Sequence, residues 1–128
     1  MATYLLDTNI IIDAVNGKNG RNASLISLAE EGHTLACCPV NVAEVYAGLR
    51  PKEETRTAAL LKSLQFYPIT FPVAELAGLL KRDYGRKGKT LTIPDTMVAA
   101  VALHYRLSLI TDNVKDFPMA DLSFHSLE

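Results

Sequence analysis

The chain has 128 residues, 48% of them hydrophobic and 21% charged, with 13 basic residues against 14 acidic ones. That is the size and composition of one folded domain, so residues 1–128 are expected to form a single unit with a core of its own and no long disordered stretch. A net charge of −1 announces no broad basic surface, the first residues lack the form of a signal peptide, and no apolar run reaches membrane-span length.

Residues 3–6 are apolar and end at Asp7, which suits a buried strand. Ile10, Ile11 and Ile12 turn the chain straight back into the core. A helix is expected over 22–31, with Leu25, Leu28 and Ala29 on one face and Gly32 as its stop. Residues 34–38 read as a second strand, ended by Pro39. Asn41 is the expected N-cap of a short helix over 42–49. A further helix is predicted over 53–65, carrying Thr57, Leu60, Leu61 and Leu64, and a short strand over 67–71.

Pro72 then opens a long helix whose apolar stripe is Val73, Leu76, Ala77, Leu80 and Tyr84. Pro94, at the first position of the next helix, precedes Met97 to Leu103, a segment apolar nearly all round and so expected to be buried on several sides. Residues 107–111 form a strand ending at Asp112, and a last strand is placed at 121–125. Strands separated by helices imply a three-layer α/β/α sandwich around a mainly parallel sheet of four or five strands. Cys37 and Cys38 are adjacent, so a disulfide framework is implausible. Both read as small core residues in a cytoplasmic protein.

Several acids have surroundings wrong for solvated charge: Asp7 between apolar runs, Glu44 within Val42–Ala47, Asp95 at the head of the most apolar helix, and Asp112 and Asp116 after the strand at 107–111. Each alone has a bland explanation in a turn, a helix terminus or an amphipathic edge. Together they read as one site. Ligands of a parallel sheet bind beyond the carboxyl ends of its strands, where Asp7, Asp112 and Asp116 lie, and Asp95 and Glu44 sit on what are expected to be first turns of helices opening there. Clustered carboxylates repel one another, and a divalent cation removes the conflict. All-oxygen ligands suit Mg²⁺ or Mn²⁺.

The residues around these acids resemble the PIN domain of VapC-type toxins. Leu5-Leu6-Asp7-Thr8-Asn9 is similar to its opening motif, Val42-Ala43-Glu44-Val45-Tyr46-Ala47-Gly48-Leu49 to its second, and Pro94-Asp95-Thr96-Met97-Val98-Ala99-Ala100 to its third. Leu109-Ile110-Thr111-Asp112-Asn113-Val114-Lys115-Asp116-Phe117 is similar to the fourth. Order, spacing and length match over nearly the whole chain. The resemblance implies a metal-dependent endoribonuclease, with Asp7, Glu44, Asp95 and Asp116 as catalytic metal ligands and Asp112 as an alternative to Asp116. It also implies a homodimer and a small antitoxin as partner.

Thr8, Asn9, Thr111 and Asn113 are polar neighbours placed to orient those ligands from behind. Lys81, Arg82, Arg86, Lys87 and Lys89 are the only basic cluster, a candidate hold on RNA phosphates or else a solvated helix end. The three histidines lack metal spacing. A receiver domain would need an acidic pair after its first strand, and a haloacid-dehalogenase-type phosphatase an aspartate at position 9, where Asn stands. A scaffold that keeps only the fold is disfavoured by the intact acidic set.

Overall fold

The computed structural model describes residues 1–127. Strands β1 (Thr3–Leu6), β2 (Thr34–Cys37), β3 (Gln65–Phe66), β4 (Ser108–Ile110) and β5 (Ser123–Phe124) form one parallel sheet in the order β3-β2-β1-β4-β5. Six helices connect them: α1 (Thr8–Val15), α2 (Arg21–Glu30), α3 (Pro39–Ala47), α4 (Glu54–Ser63), α5 (Phe71–Arg86) and α6 (Ile93–Tyr105). The sheet grows outward from β1 to one side, then returns to add β4 and β5 on the other, so the chain reverses between β1 and β4.

Alternation along the strands divides the core in two. Leu5, Ala36 and Leu109 face one way, against Val73 and Ala77 of α5 and Val98 to Ala102 of α6. Tyr4, Leu6, Cys37 and Ile110 face the other, against Ile10 and Ile11 of α1, Leu25 and Leu28 of α2 and Leu61 of α4. Period-2 side-chain direction in a strand demands this when both faces are covered. The three-layer sandwich expected from the sequence is thereby present. As expected, α6 is buried almost all round. Cys37 and Cys38 are buried and free, and burial, with Cys38 alongside, pushes the Cys37 thiol up to about 11.

Several boundaries differ from the sequence reading. Asn41 does not cap a helix over 42–49. The helix starts at Pro39 with Cys38 as N-cap, because the N–H that proline lacks has no intrahelical partner in a first turn. Asn41 falls in that turn, and its Oδ1 accepts from the Cys38 N–H at 3.0 Å. Glu44 therefore sits in the second turn of α3, not the first. Pro94 is the second residue of α6, after Ile93, with Thr92 as N-cap. The third strand is Gln65–Phe66, ahead of the expected 67–71. Ala29 is exposed while Leu25 and Leu28 are buried. Gly32 does stop α2: at φ +91° it takes a conformation that side chains with a Cβ rarely adopt.

Candidate active site

The reversal between β1 and β4 brings two strand ends side by side. Asp7 leaves β1 and donates its backbone N–H to the Ile110 carbonyl at the end of β4 (2.9 Å). The sheet register pairs Leu6 with Ile110, so Asp7 and Thr111 emerge next to each other at the position where such sheets bind ligands. Asp7 is the N-cap of α1. Its Oδ1 accepts from the Thr8 N–H at 2.9 Å and its Oδ2 from the Thr111 hydroxyl at 2.7 Å. Both oxygens are thus aimed by fixed donors.

Thr8 also ties in the second acid. Its hydroxyl donates to Glu44 Oε1 at 2.6 Å and accepts from Asn41 Nδ2 at 3.3 Å. Asn41 is fully buried, so the relay from Cys38 through Asn41 and Thr8 to Glu44 rests on a rigid base. Glu44 itself is exposed, as is Asp112, while Asp7, Asp95 and Asp116 are half-buried. The acids thus edge an open surface; the apolar neighbours that marked them in the sequence lie on the far sides of their helices and strands.

Asp95 stands in the first turn of α6, where its backbone N–H donates to the Thr92 hydroxyl oxygen at 3.3 Å. Burial raises its carboxyl above the ordinary range. A hydrogen bond from Thr92 opposes this, and the charges of Asp116, Asp7 and Glu44 raise it further. Asp95 therefore lies within the field of three other sequence-identified acids. Cys38 responds to the same field: burial raises its thiol, hydrogen bonds from Asn41 and Val40 oppose that, and Asp7 and Glu44 add to the rise.

Asp112 is drawn elsewhere. It accepts from Arg21 Nη2 at 2.5 Å. Of the neighbouring polar residues, Thr8 and Thr111 contact the acids directly. The Asn113 N–H donates to Thr111 Oγ1 at 3.0 Å, and Asn9 is exposed, with no side-chain hydrogen bond to an acid among the described residues. Sequence reasoning missed Asn41, Thr92 and Arg21. Asn41 was legible as Pro39-x-Asn, the third position of a proline-opened helix; Arg21 carried no local signal.

The donor set fits a hard cation. It is all oxygen, the Asp7 oxygens each accept one hydrogen bond and retain a free lone pair, and mutual repulsion disfavours the carboxylates without a counter-charge. Among the described residues no three acidic, histidine or cysteine groups are gathered tightly enough to close on one ion, so the acids ring a site without forming a finished cage. A cavity of about 230 Å³ lined by Ile12, Val45, Leu49 and Thr57, among others, involves none of the four acids.

The basic residues lie on the last turns of α5 and just beyond it. Lys81 Nζ donates to the Leu91 carbonyl, and Tyr84 Oη to that of Pro118 at 3.4 Å, which ties the end of α5 to the segments bearing Asp95 and Asp116. Arg82 pairs with Asp83 at 3.0 Å and Lys87 lies 5.1 Å from the centre of the Tyr84 ring. Arg86, Lys87 and Lys89 are exposed.

Comparison with known proteins agrees with this architecture. The family model of the PIN domain matches residues 4–121. Ribonuclease VapC10 of Mycobacterium tuberculosis is 33% identical over 115 residues, covering 90% of this chain and 86% of that protein. Ribonuclease VapC19 of the same organism is 29% identical over 115 residues, covering 90% and 92%. Among solved structures, VapBC2 of Rickettsia felis bound to a promoter DNA fragment superposes with a TM-score of 0.86 at 22% identity, covering 98% and 99% of the two chains. A toxin–antitoxin complex from Klebsiella pneumoniae gives 0.74 at 30% identity, covering 92% of each. The chain belongs to the PIN domain family.

Proposed function

We propose that this chain is an endoribonuclease, the toxin of a VapBC-type toxin–antitoxin pair, and that it hydrolyses RNA phosphodiesters with Mg²⁺ or Mn²⁺ held among Asp7, Glu44, Asp95 and Asp116. The nuclease and toxin reading follows from family membership and from relatives that are VapC ribonucleases. The observation that carries the site is that Thr8 joins Asp7 and Glu44 beside the β1/β4 strand ends, its N–H on the first carboxylate and its hydroxyl on the second.

The chain's own contribution is positional. Thr8 and Thr111 fix the Asp7 carboxylate, and Thr8, backed by buried Asn41, fixes Glu44, so neither carboxylate has to be ordered when substrate arrives. The N-terminus of α6 holds Asp95 at the site. A divalent cation, when bound, supplies a lowered pKa for the attacking water and stabilises charge on the transferring phosphoryl group. Carboxylate oxygens left free accept the proton released by that water. The 2′-hydroxyl of RNA is not required as nucleophile.

Arg86, Lys87 and Lys89, exposed at the end of α5, are proposed to hold RNA phosphates, while Lys81 and Arg82 already engage Leu91 and Asp83. A small antitoxin as partner and a homodimer are proposed from the same family reading, and a cytoplasmic site of action from the adjacent, unbridged Cys37 and Cys38. Among the described residues no helix is long and apolar enough to cross a membrane.

RNA cleavage by purified protein in Mg²⁺ or Mn²⁺, with and without EDTA, tests the proposal. Cleavage that EDTA abolishes and added metal restores supports it; a folded protein that leaves RNA intact in both metals supports the scaffold reading instead.

A further inference from the structure

Arg21 is the first residue of α2, and no motif points to it. Its guanidinium nevertheless gathers three segments. Nη2 donates to Asp112 Oδ1 at 2.5 Å, in the loop after β4. Nε stands 4.0 Å from Asp13 Oδ2 on α1, and that oxygen also accepts from Asn19 Nδ2 at 3.0 Å, in the turn between α1 and α2. The Arg21 side chain is only 14% exposed, and its Nε is a buried donor without a hydrogen-bond partner. A desolvated guanidinium is held there at some cost, which a half-exposed ion pair with Asp112 and a longer one with Asp13 offset in part.

The loop it grips is the one that carries the site. Asp112 lies between Thr111, whose hydroxyl aims Asp7 Oδ2, and Asn113, whose N–H bonds Thr111 Oγ1 and whose carbonyl accepts the Asp116 N–H at 2.9 Å. One hydrogen-bonded unit thus runs from Thr111 to Asp116, and Arg21 fastens its middle to the α1–α2 side of the sheet.

We propose that Arg21 is a positioning residue for the metal centre: its ion pair with Asp112 pins the Thr111–Asp116 loop and holds Asp112 away from the cation. This rests on the reading of the four acids as the metal site. Arginine suits the task because its fork is planar and stays charged at any relevant pH. The pair selects Asp116, not Asp112, as the acid that faces Asp95.

The test is Mn²⁺ binding by titration calorimetry on the full chain, with RNA cleavage and metal-free melting measured alongside, for Arg21→Met, Asp112→Asn, the double variant and Arg21→Lys. Each single change is expected to weaken Mn²⁺ binding about tenfold, at the lower end of what groups behind metal ligands contribute. The double variant should bind no worse than either single one, since the two side chains act as a pair. Arg21→Lys should recover part of the loss.

Unchanged Mn²⁺ affinity in Arg21→Met and Asp112→Asn, with only a lowered melting temperature, overturns the proposal in favour of a structural tie. Lost binding in Asp112→Asn with normal binding in Arg21→Met overturns it by making Asp112 a ligand. Should Arg21→Met not fold, Arg21→Lys takes its place beside Asp112→Asn: weakened Mn²⁺ binding in both supports the proposal, and weakened binding in Asp112→Asn alone overturns it. A wild-type chain that binds Mn²⁺ but leaves RNA intact removes the nuclease reading and leaves Arg21 testable. One that binds no Mn²⁺ removes the metal site and this inference with it.

Discussion

Replacing Asp95 with asparagine should make the metal-free protein more stable while it disables the site. Asp95 is half-buried and feels the charges of Asp116, Asp7 and Glu44. Like charges one Debye length apart, about 8 Å, in an effective dielectric of about 50 cost roughly 0.3 kcal/mol a pair, or about 1 kcal/mol for three pairs. Relief of the carboxylate's desolvation adds to this gain. Loss of negative charge in the first turn of α6 takes back about 0.3–0.5 kcal/mol. The net gain is about 1 kcal/mol, or about 3–4 °C in melting temperature for a chain of this size.

The sign with pH follows from the raised carboxyl. A group that holds its proton more tightly folded than unfolded costs stability above its folded pKa. That cost fades as pH falls toward the unfolded value of about 3.9. Circular-dichroism melts in EDTA should therefore show Asp95→Asn above wild type at pH 7, with the gap closing in acid. Saturating Mn²⁺ should reverse the order, because only the wild type keeps all four acids to bind it. A melting temperature in EDTA at pH 7 that is unchanged or lower refutes the close approach of these charges.

Three further outcomes are expected. Asn41→Ala should cost about 2 kcal/mol in a denaturant titration, because the Cys38 N–H loses its buried acceptor and Thr8 its donor. Glu53, buried against Arg50 with its carboxyl held down to about 2 by hydrogen bonds from that side chain and backbone, stabilises the fold above its unfolded pKa, and this is lost as pH falls through about 2. Glu53→Gln should accordingly melt below wild type at pH 7, with the difference vanishing between about pH 4.5 and 2; a gap that persists there removes the ion pair as its cause. Arg86→Ala with Lys87→Ala should weaken RNA binding evenly across sequences and flatten its salt dependence by up to about 0.7 per lost contact, whereas an unchanged slope takes the segment out of the RNA path.

The sequence carried the layers and the acids for one reason: both are written in local pattern. Tyr4–Leu6, Ala36–Cys37 and Leu109–Ile110 are apolar runs short enough only for buried strands, and α6 is apolar on every side because it packs on several. Carboxylates interrupting such runs stand out without any knowledge of the fold. What local pattern does not carry is contact across distance. Arg21 and Asp112 are 91 residues apart and Thr111 and Asp7 104 apart, yet each pair meets because β1 and β4 are neighbours. The ambiguity between Asp112 and Asp116 was of this kind, since either can follow a strand end. Boundaries slipped where a proline changed the reading, as at Pro39, whose place in the first helical turn moved Asn41 from cap to buried relay.

The central claim is that Asp7, Glu44, Asp95 and Asp116 act as one metal-dependent centre. RNA cleavage in Mg²⁺ should be compared across Asp7→Asn, Glu44→Gln, Asp95→Asn, Asp116→Asn and Asp112→Asn, each first confirmed as folded by circular dichroism. The first four should fall more than about 100-fold, beyond what groups behind metal ligands contribute, and Asp112→Asn by no more than about tenfold. A folded Asp7→Asn protein that cleaves RNA at the wild-type rate would contradict the account.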